Sequence, residues 1–397
     1  MLSVLRRARK SLGQFVFGRS AIAVTALALA ACTPGTGPST GGPQINTNAP
    51  VPVALLVPGG SGQASDELLA RSLQNAARLA ISDLGGVQID LRVYNTAGSP
   101  AQAQAMAIQA VDEGALIILG PVFAQEANAA GVAVAARGIN VLSFSNNPDI
   151  AGGNVFVLGP TFINTAERLA SFAVRQGKSR MMIVHDRNTA GDLGKAAIQR
   201  GVSAAGGSVV AVGSYEFSQN GVVSAAPGIV AAARTNAADA IFLTADTAGA
   251  LPLISQLLKE NGLDPEATRY IGLTRWDIPA ATLALPGVQG GWFALPDPAL
   301  YAQYQARYQA AFGEAPHPIS GLAYDGIAAI GALVKRGNAG ALTASALTQG
   351  AGFVGVNGIF RLRGDGTNDR GLAVAQVRNS QVVVIDPAPR SFGGAGF

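Results

Sequence analysis

The sequence predicts an α/β protein with two lobes, each a parallel sheet flanked by helices, and with a C-terminal hairpin. Two observations indicate this fold class. Short β-rich runs alternate with longer helical stretches, which is typical of βαβ units and of parallel sheets covered on both faces. The alternation runs through two successive series, each sufficient for one lobe. The chain has 397 residues, enough to bury two such cores.

The first series is expected to build the first lobe. Its strands are predicted at Val53–Val57, Ile89–Tyr94, Leu116–Leu119 and Asn140–Phe144. Its helices are predicted at Asp66–Leu84, Ala101–Glu113 and Glu126–Arg137. Each strand is a short apolar run and each helix a longer stretch between two strands, so the strands are expected to be parallel neighbours.

The second series repeats this pattern. Its strands are predicted at Met181–His185, Val209–Tyr215, Ile241–Thr244 and Tyr270–Leu273. Its helices are predicted at Gly194–Ala205, Pro227–Thr235 and Leu251–Asn261. After Pro298 the pattern changes to two helices, over 298–312 and 319–336, and then to a closing hairpin of Leu372–Val377 with Val382–Ile385.

This order predicts a chain that builds one lobe, then the other, and then returns. The first lobe is expected to contain 51–160 and 296–352, and the second 161–295 and 353–386. Residues 387–397 are expected to form an irregular tail. Such a path leaves a cleft between the lobes, and α/β sheets bind ligands outside the carboxyl ends of their strands.

The N-terminus carries the features of a secretory signal over residues 1–31. Basic residues precede an apolar stretch at 20–31, which is shorter than the roughly 20 residues that a membrane span needs. Leu-Ala-Ala-Cys at 29–32 resembles a bacterial lipobox, so Cys32 is expected to carry lipid; the alternative is an ordinary signal with an incidental cysteine. Thr33 resembles the residue found after the cysteine in lipoproteins sorted to the periplasmic face of the outer membrane. Residues 32–50, rich in Gly, Pro, Ser and Thr, are expected to be a flexible tether.

Composition excludes several classes of function. Charged residues make up only 13% of the chain, and much of the basic charge lies before residue 20, which argues against nucleic acid as a partner. A lipidated Cys32 would leave no thiol, so disulfides, thiol catalysis and a Cys-ligated metal are not expected. The only histidines are His185 and His317, too few for a multi-His metal site. No metal or cofactor is predicted.

A glycine-rich loop follows the first predicted strand. It lacks the G-x-G-x-x-G pattern of dinucleotide sites and the Gly-Lys-Ser/Thr of a P-loop. Ser65 is a candidate N-cap, and Asp66 and Glu67 occupy the first helical turn behind it, where carboxylates would repel an anion. The loop is therefore not a phosphate site. Its glycines still favour close approach of some ligand to the backbone, with Ser61 and Gly62 as candidate contacts.

Polar, uncharged residues also follow other strands of the first series. Ser143, Ser145 and Asn146 end one strand, and Phe123 and Gln125 follow another. Groups of this kind at strand ends suit hydrogen bonding to a small solute. For the serines and Asn146 the alternative is turn chemistry before Pro148.

Catalysis has little support in the sequence. His185 and Asp186 are adjacent on a strand, so their side chains point to opposite faces and do not form a base and its orienting acid. An exposed histidine at a strand end is the preferred interpretation of His185. Asp365 stands alone in a Gly-Asp-Gly turn, and neither G-x-S-x-G nor H-E-x-x-H occurs. The chain is not expected to be an enzyme.

Four stretches carry a family resemblance: V-A-L-L-V-P-G-G-S-G at 53–62, I-I-L-G-P at 117–121, Y-D-G at 324–326 and G-I-F-R-L-R-G-D-G at 358–366. The run from Val53 to Ile385 resembles the type I periplasmic-binding fold of the leucine/isoleucine/valine-binding proteins. The resemblance implies two hinged lobes that close on a solute.

The same resemblance implies candidate site residues in both lobes. The family's serine after the G-P turn corresponds to Ala124 or Gln125. Its two second-lobe tyrosines correspond to Ala190 and Thr247, and its ammonium-binding acid corresponds to Thr274. Loss of a charge-assisted partner for a buried ammonium removes much of its binding energy, so an ordinary α-amino acid is not the expected ligand.

The lipobox, the first strand and L-R-V-Y-N-T at 91–96 also resemble penicillin-binding protein activators. That resemblance implies a periplasmic lipoprotein, anchored through Cys32 to the outer membrane, that regulates a peptidoglycan synthase. The alternative is the receptor of an ABC importer for an amino acid or a related small polar solute.

Overall fold

The computed structural model describes residues 42–393 and begins with a five-stranded parallel sheet. Its strands are β1 (Val51–Val57), β2 (Ile89–Asn95), β3 (Ile117–Leu119), β4 (Val141–Ser143) and β5 (Val155–Val157). They lie in the order β2-β1-β3-β4-β5. The intervening helices are α1 (Ala64–Asp83), α2 (Pro100–Asp112) and α3 (Ala124–Val134).

Strand β1 shows why this lobe folds as a layered structure. Side chains alternate along a strand, so Val53 and Leu55 enter one core while Ala54 and Leu56 enter the other. The first core lies against α1 and against helices from later in the chain. These are α8 (Pro298–Phe312), α9 (Gly321–Val334) and α10 (Ala344–Leu347). The second core lies against α2 and α3.

The second lobe contains a seven-stranded sheet. Its strands are β6 (Arg180–Asp186), β7 (Ser208–Tyr215), β8 (Ala240–Leu243), β9 (Arg269–Gly272), β10 (Trp292–Leu295), β14 (Ala373–Arg378) and β15 (Gln381–Asp386). Their order is β15-β14-β10-β9-β8-β6-β7, with β6 to β10 parallel and the β14–β15 hairpin antiparallel. Its helices are α4 (Phe162–Arg175), α5 (Thr189–Ala204), α6 (Gln219–Thr235) and α7 (Leu251–Glu260). The α/β two-lobed fold predicted from the sequence is confirmed.

A small antiparallel sheet follows α10. Its strands are β11 (Phe353–Gly355), β12 (Gly358–Leu362) and β13 (Asn368–Arg370). Phe353, Phe360 and Leu362 are buried in the core of the first lobe. Residues 353–386 are therefore not all part of the second lobe, contrary to the expectation from the sequence: the apolar face of the small sheet packs on α9, and only β14 and β15 join the second sheet.

Three segments cross between the lobes: 158–161, 296–297 and 371–372. A buried ion pair at the first-lobe ends of the crossings 158–161 and 371–372 connects them to α9. Arg370 Nη1 lies 3.2 Å from Asp325 Oδ2, and Arg370 Nε donates to the Leu158 carbonyl at 2.7 Å. Neither side chain is more than 5% exposed. The crossings are therefore fixed at their first-lobe ends.

The chain ends differ in part from expectation. Cys32, the predicted signal peptide and most of the predicted tether lie outside the described residues. Within the tether, Ile45 is buried because its apolar side chain joins the first-lobe core, and its N–H donates to the Ala339 carbonyl at 2.8 Å. Residues 387–393 contain no helix or strand. Over the range 42–393, no helix is long and apolar enough to cross a membrane.

Candidate ligand-binding cleft

The loops after β1, β2 and β3 line an open cavity of about 530 Å³. Because parallel strands present their carboxyl ends at one edge, loops that are distant in sequence meet there. We call this the first-lobe cavity. Its lining consists of Ser61, Gln63, Asp66, Ala97, Gly98, Pro100, Phe123, Ala124, Gln125 and Glu126.

The glycine-rich loop forms one wall of this cavity. Gly60 and Gly62 have φ values of 85° and 77°, which favour glycine over residues with a Cβ. The Gly60 N–H donates to Glu67 Oε1 at 2.6 Å, so this acid closes the loop. Ser65 is not the N-cap as predicted: α1 begins at Ala64, with Gln63 as the capping residue.

Phe123 and Glu126 form the opposite wall, at the start of α3. The Phe123 side chain is 38% exposed, which is unusual for a residue of its size. Glu126 is 0% exposed, and neither of its carboxylate oxygens makes a hydrogen bond of good geometry to a described residue. Burial raises the pKa of this carboxyl, while the nearby Thr96 hydroxyl and Phe123 N–H lower it by less.

Ser143 and Ser145 do not reach this cavity. The Ser143 hydroxyl donates to the Pro121 carbonyl and accepts from the Ser145 N–H, both at 3.1 Å. The Ser145 hydroxyl accepts from the Asn147 N–H at 3.1 Å. Both side chains are buried, and these hydrogen bonds fix the loop before Pro148, in line with the turn-chemistry alternative.

Asn146 lines a second cavity of about 520 Å³ between the lobes, which we call the interlobe cavity. Other residues of this lining come from α4, α5 and the hairpin 363–369, among them Phe162, Ala190, Arg200 and Arg363. The first-lobe candidates are therefore distributed over two cavities, and the second-lobe candidates Thr247 and Thr274 line neither of them. Ser61, Phe123 and Gln125 share the first, and Gly62 lies beside them on the loop.

The second-lobe candidates lie at the carboxyl ends of β8 and β9. The Thr247 hydroxyl donates to the Ile278 carbonyl at 2.7 Å, and the Thr274 hydroxyl donates to the Ala245 carbonyl at 3.3 Å. Both side chains are half-buried. Because each hydroxyl already donates its proton to a backbone carbonyl, it could only accept a hydrogen bond from a ligand.

The structure corrects the interpretation of His185. Its side chain is buried at 6% exposure against α5, with Nδ1 3.1 Å from the Asp186 carbonyl oxygen and 3.7 Å from Asp192. Strand β6 lies between β7 and β8, so even its last residues are covered.

Asp186, which follows His185, was not predicted as a site candidate, although it lies at the carboxyl end of β6. It accepts a hydrogen bond from the Thr244 hydroxyl at 2.8 Å and one from Asn188 Nδ2 at 2.5 Å. Its position, directly after an apolar run, was the signal in the sequence.

The ionisable residues that line the first-lobe cavity are all acidic. Asp66 and Glu126 are acidic, and no basic residue belongs to the lining. In the part of the chain that the structure describes, no group of three or more His, Cys, Asp or Glu side chains is arranged to hold a metal ion. The cavity offers carboxylates, amides, a hydroxyl and an aromatic ring, which suit reversible binding of an organic solute.

Two lobes joined by three crossings, with cavities at the carboxyl ends of parallel strands, define a bilobal fold of the ligand-binding type. Residues 50–381 match the family described as periplasmic binding protein, and the chain belongs to that family. Its fold is of the leucine-binding-protein type. No curated protein matches the sequence.

Solved structures share this fold at low identity. A putative branched-chain amino acid ABC transporter protein from Rhodospirillum rubrum has a TM-score of 0.72 at 19% identity, covering 85% of this chain and 100% of that one. A substrate-binding protein from Desulfitobacterium hafniense, in complex with Leu, has a TM-score of 0.64 at 18% identity, covering 85% and 100%. A solute-binding protein from Rhodopseudomonas palustris BisB5, in complex with 3,4-dihydroxybenzoic acid, has a TM-score of 0.59 at 19% identity, covering 86% and 97%.

Proposed function

We propose that this protein is the solute receptor of an ABC importer and binds a small polar organic molecule without transforming it. The observation that carries the proposal is the first-lobe cavity of about 530 Å³ at the carboxyl ends of β1, β2 and β3. That volume is in the usual range for small-molecule sites, roughly 300–1,000 Å³. The structures described above are named as transporter binding proteins, which supports the same class.

The connection between the lobes also supports this function. The three crossings are short, so the lobes can rotate about them with little change in either sheet. The interlobe cavity is lined by residues from both lobes, and such a rotation would change its volume. Closure on a solute would then be a shift between two arrangements, driven by the contacts that the solute adds in the closed one.

The proposal is tested by thermal-shift measurement on the full chain with a panel of solutes. The panel contains amino acids, their amides, amines, hydroxybenzoates and muropeptides. A true ligand at 100 times its Kd stabilises the native state by about 2.7 kcal/mol. A flat response across the panel would contradict the proposal.

A matched pair of variants locates the site. Phe123→Ala removes an exposed aromatic side chain from the first-lobe cavity, whereas Phe217→Ala removes one of 59% exposure from the second lobe. We expect Phe123→Ala to weaken binding of whatever solute the panel identifies and Phe217→Ala to leave it unchanged. Equal effects would move the site away from the first-lobe cavity.

Regulation of a peptidoglycan synthase is the weaker candidate. A regulator does not require a solute-sized cavity. The regulator hypothesis rests on the expected lipidation of Cys32 and on the loss of the family's amino-acid contacts. Lipidation of Cys32 and anchoring to the outer membrane remain proposals, because that segment lies outside the described residues. Recovery of a cell-wall synthase with the chain from envelope extracts, together with a flat solute panel, would favour the regulator.

A further inference from the structure

The first-lobe cavity is lined by two acids, and no basic residue of the described chain pairs with either of them. Asp66 contributes a half-buried carboxylate from the first turn of α1, and Glu126 contributes a buried one from the first turn of α3. Within residues 42–393, neither acid has an ion-pair partner. By contrast, the second-lobe acids Asp277 and Asp186 are held by Arg275 and by the Thr244 hydroxyl. Burial without a partner favours the protonated form of a carboxyl, whereas a cation in the cavity would favour the ionised form and supply the missing counter-charge.

Helix N-termini at this edge do not make it an anion site. The amino ends of α1 and α3 both point their N–H groups towards the region, which by itself favours negative charge. In each helix, however, a carboxylate of the chain already occupies the first turn: Asp66 and Glu67 in α1, and Glu126 in α3. An anionic ligand would meet these carboxylates and be repelled.

An aromatic ring completes the surroundings of the charge. A Cβ placed on Gly98 would lie 3.7 Å from Asp66 Oδ2 and 3.8 Å from Phe123 Cε2. The Asp66 carboxylate and the edge of the Phe123 ring therefore both lie close to the position that a Cβ of residue 98 would occupy, so the charge and the ring are neighbours at the same part of the cavity. The face of an aromatic ring attracts cations, and most strongly those that have lost water.

We propose that the first-lobe cavity binds the ammonium or quaternary ammonium group of an organic cation that lacks a neighbouring carboxylate. Asp66 and Glu126 supply the counter-charge, Phe123 supplies the ring, and the amides of Gln63 and Gln125 are available to polar groups of the solute. The volume of about 530 Å³ fits an organic molecule rather than a bare ion. This inference rests on the proposed receptor function and names the class of its solute.

The first test compares solutes of one shape and three charges. Binding to the full chain is measured by titration calorimetry with leucinamide as cation, leucine as zwitterion and 4-methylpentanoate as anion. Choline and agmatine extend the cationic set. We expect at least one cation to bind at least 10-fold tighter than the zwitterion and the anion.

The possible results separate this inference from the proposed function. Tighter binding of leucine, 4-methylpentanoate or a neutral solute than of every cation overturns the cation proposal and leaves the receptor function standing. Absence of binding by every solute, here and in the broader panel, overturns both. An affinity for the cation that is independent of salt would also count against the charge-based recognition.

A second test uses variants with a matched control. Asp66→Asn removes the half-buried charge, whereas Asp112→Asn removes a surface charge of α2 that pairs with Arg137 outside the cavity. We expect Asp66→Asn to weaken cation binding by about 5-fold and Asp112→Asn to leave it unchanged. Phe123→Leu keeps an apolar side chain but removes the ring, and we expect about a 3-fold to 10-fold loss for the cation. Equal affinities of all three variants and the unaltered chain would overturn the assignment.

Discussion

Substitution of Arg370 by Met tests how the crossings between the lobes are held. Arg370 is 5% exposed and faces Asp325, which is 0% exposed. The guanidinium also donates to the Leu158 carbonyl and lies over the Phe360 ring at 5.0 Å. Met fills much of the same volume, so the main loss is charge and hydrogen bonding rather than packing.

The expected cost follows from what remains after the substitution. Asp325 would keep hydrogen bonds from the Val356 N–H at 2.8 Å and from Asn357 Nδ2 at 3.0 Å, but it would lose its counter-charge. Removing one partner of a buried ion pair costs about 3–5 kcal/mol. Because two strong donors to Asp325 remain, we expect the lower end of that range, about 3 kcal/mol.

The cost is also expected to depend on pH. Burial raises the pKa of the Asp325 carboxyl, and the charge of Arg370 is the largest influence that lowers it. Without Arg370 the folded-state pKa rises further above the unfolded value. The contribution of Asp325 to the free energy of unfolding is then fully present below its pKa in the unfolded chain, and it is lost as the pH rises through its pKa in the folded protein. The variant should therefore be closer to the unaltered chain at low pH than at pH 8.

Chemical denaturation of the full chain measures this difference. Arg363→Met is the matched control, since Arg363 pairs with Asp369 at 2.7 Å from a side chain that is 51% exposed. Exposed pairs contribute about 0–1 kcal/mol. The double variant Asp325→Asn/Arg370→Met should cost at least about 1 kcal/mol less than the sum of the single variants. A cost for Arg370→Met no greater than for Arg363→Met, or strict additivity, would refute the reasoning.

Three further predictions concern the cores and the cavity. Glu126→Gln removes a buried carboxyl whose pKa is raised by burial; the unaltered chain should therefore lose stability relative to the variant as the pH rises, by about 1–3 kcal/mol in denaturation between pH 4 and pH 8. A constant difference over that range would be evidence against it. Asn164→Ala removes the capping box with Thr161 and a hydrogen bond to the Asn368 carbonyl, and should lower the free energy of unfolding by about 1–3 kcal/mol. Leu55→Ala in β1 should lower it by about 2–5 kcal/mol, whereas Leu68→Ala, at an exposed position of α1, should change it by less than about 1 kcal/mol.

The elements predicted from the sequence are those with a strong local pattern. The strands at 51–57 and 180–186 and the helix at 298–312 agree with the predictions within about three residues, as expected for boundaries. Strands β5 and β10 were missed because three or four apolar residues do not establish a period. Helix α4 was also missed, although Thr161 three residues before Asn164 was a capping signal.

The candidate site shows a different limit. Ser61, Phe123 and Gln125 were selected because they follow predicted strands, and they line one cavity. Ser143 and Ser145 were selected by the same rule, but their hydroxyls bond the loop itself. Whether a polar side chain at a strand end faces a ligand or its own loop depends on the path of that loop, which residue type does not determine.

Local sequence by itself determined the alternation of strands and helices, and with it the α/β class, because side-chain periodicity and capping act within a few residues. The tertiary structure alone decided which distant residues share a site. Asp66 and Glu126 are 60 positions apart in the sequence, and they line one cavity because β1 and β3 are parallel neighbours whose carboxyl ends coincide. It also decided that Glu126 is buried without a partner, since burial depends on all the segments that pack around a side chain.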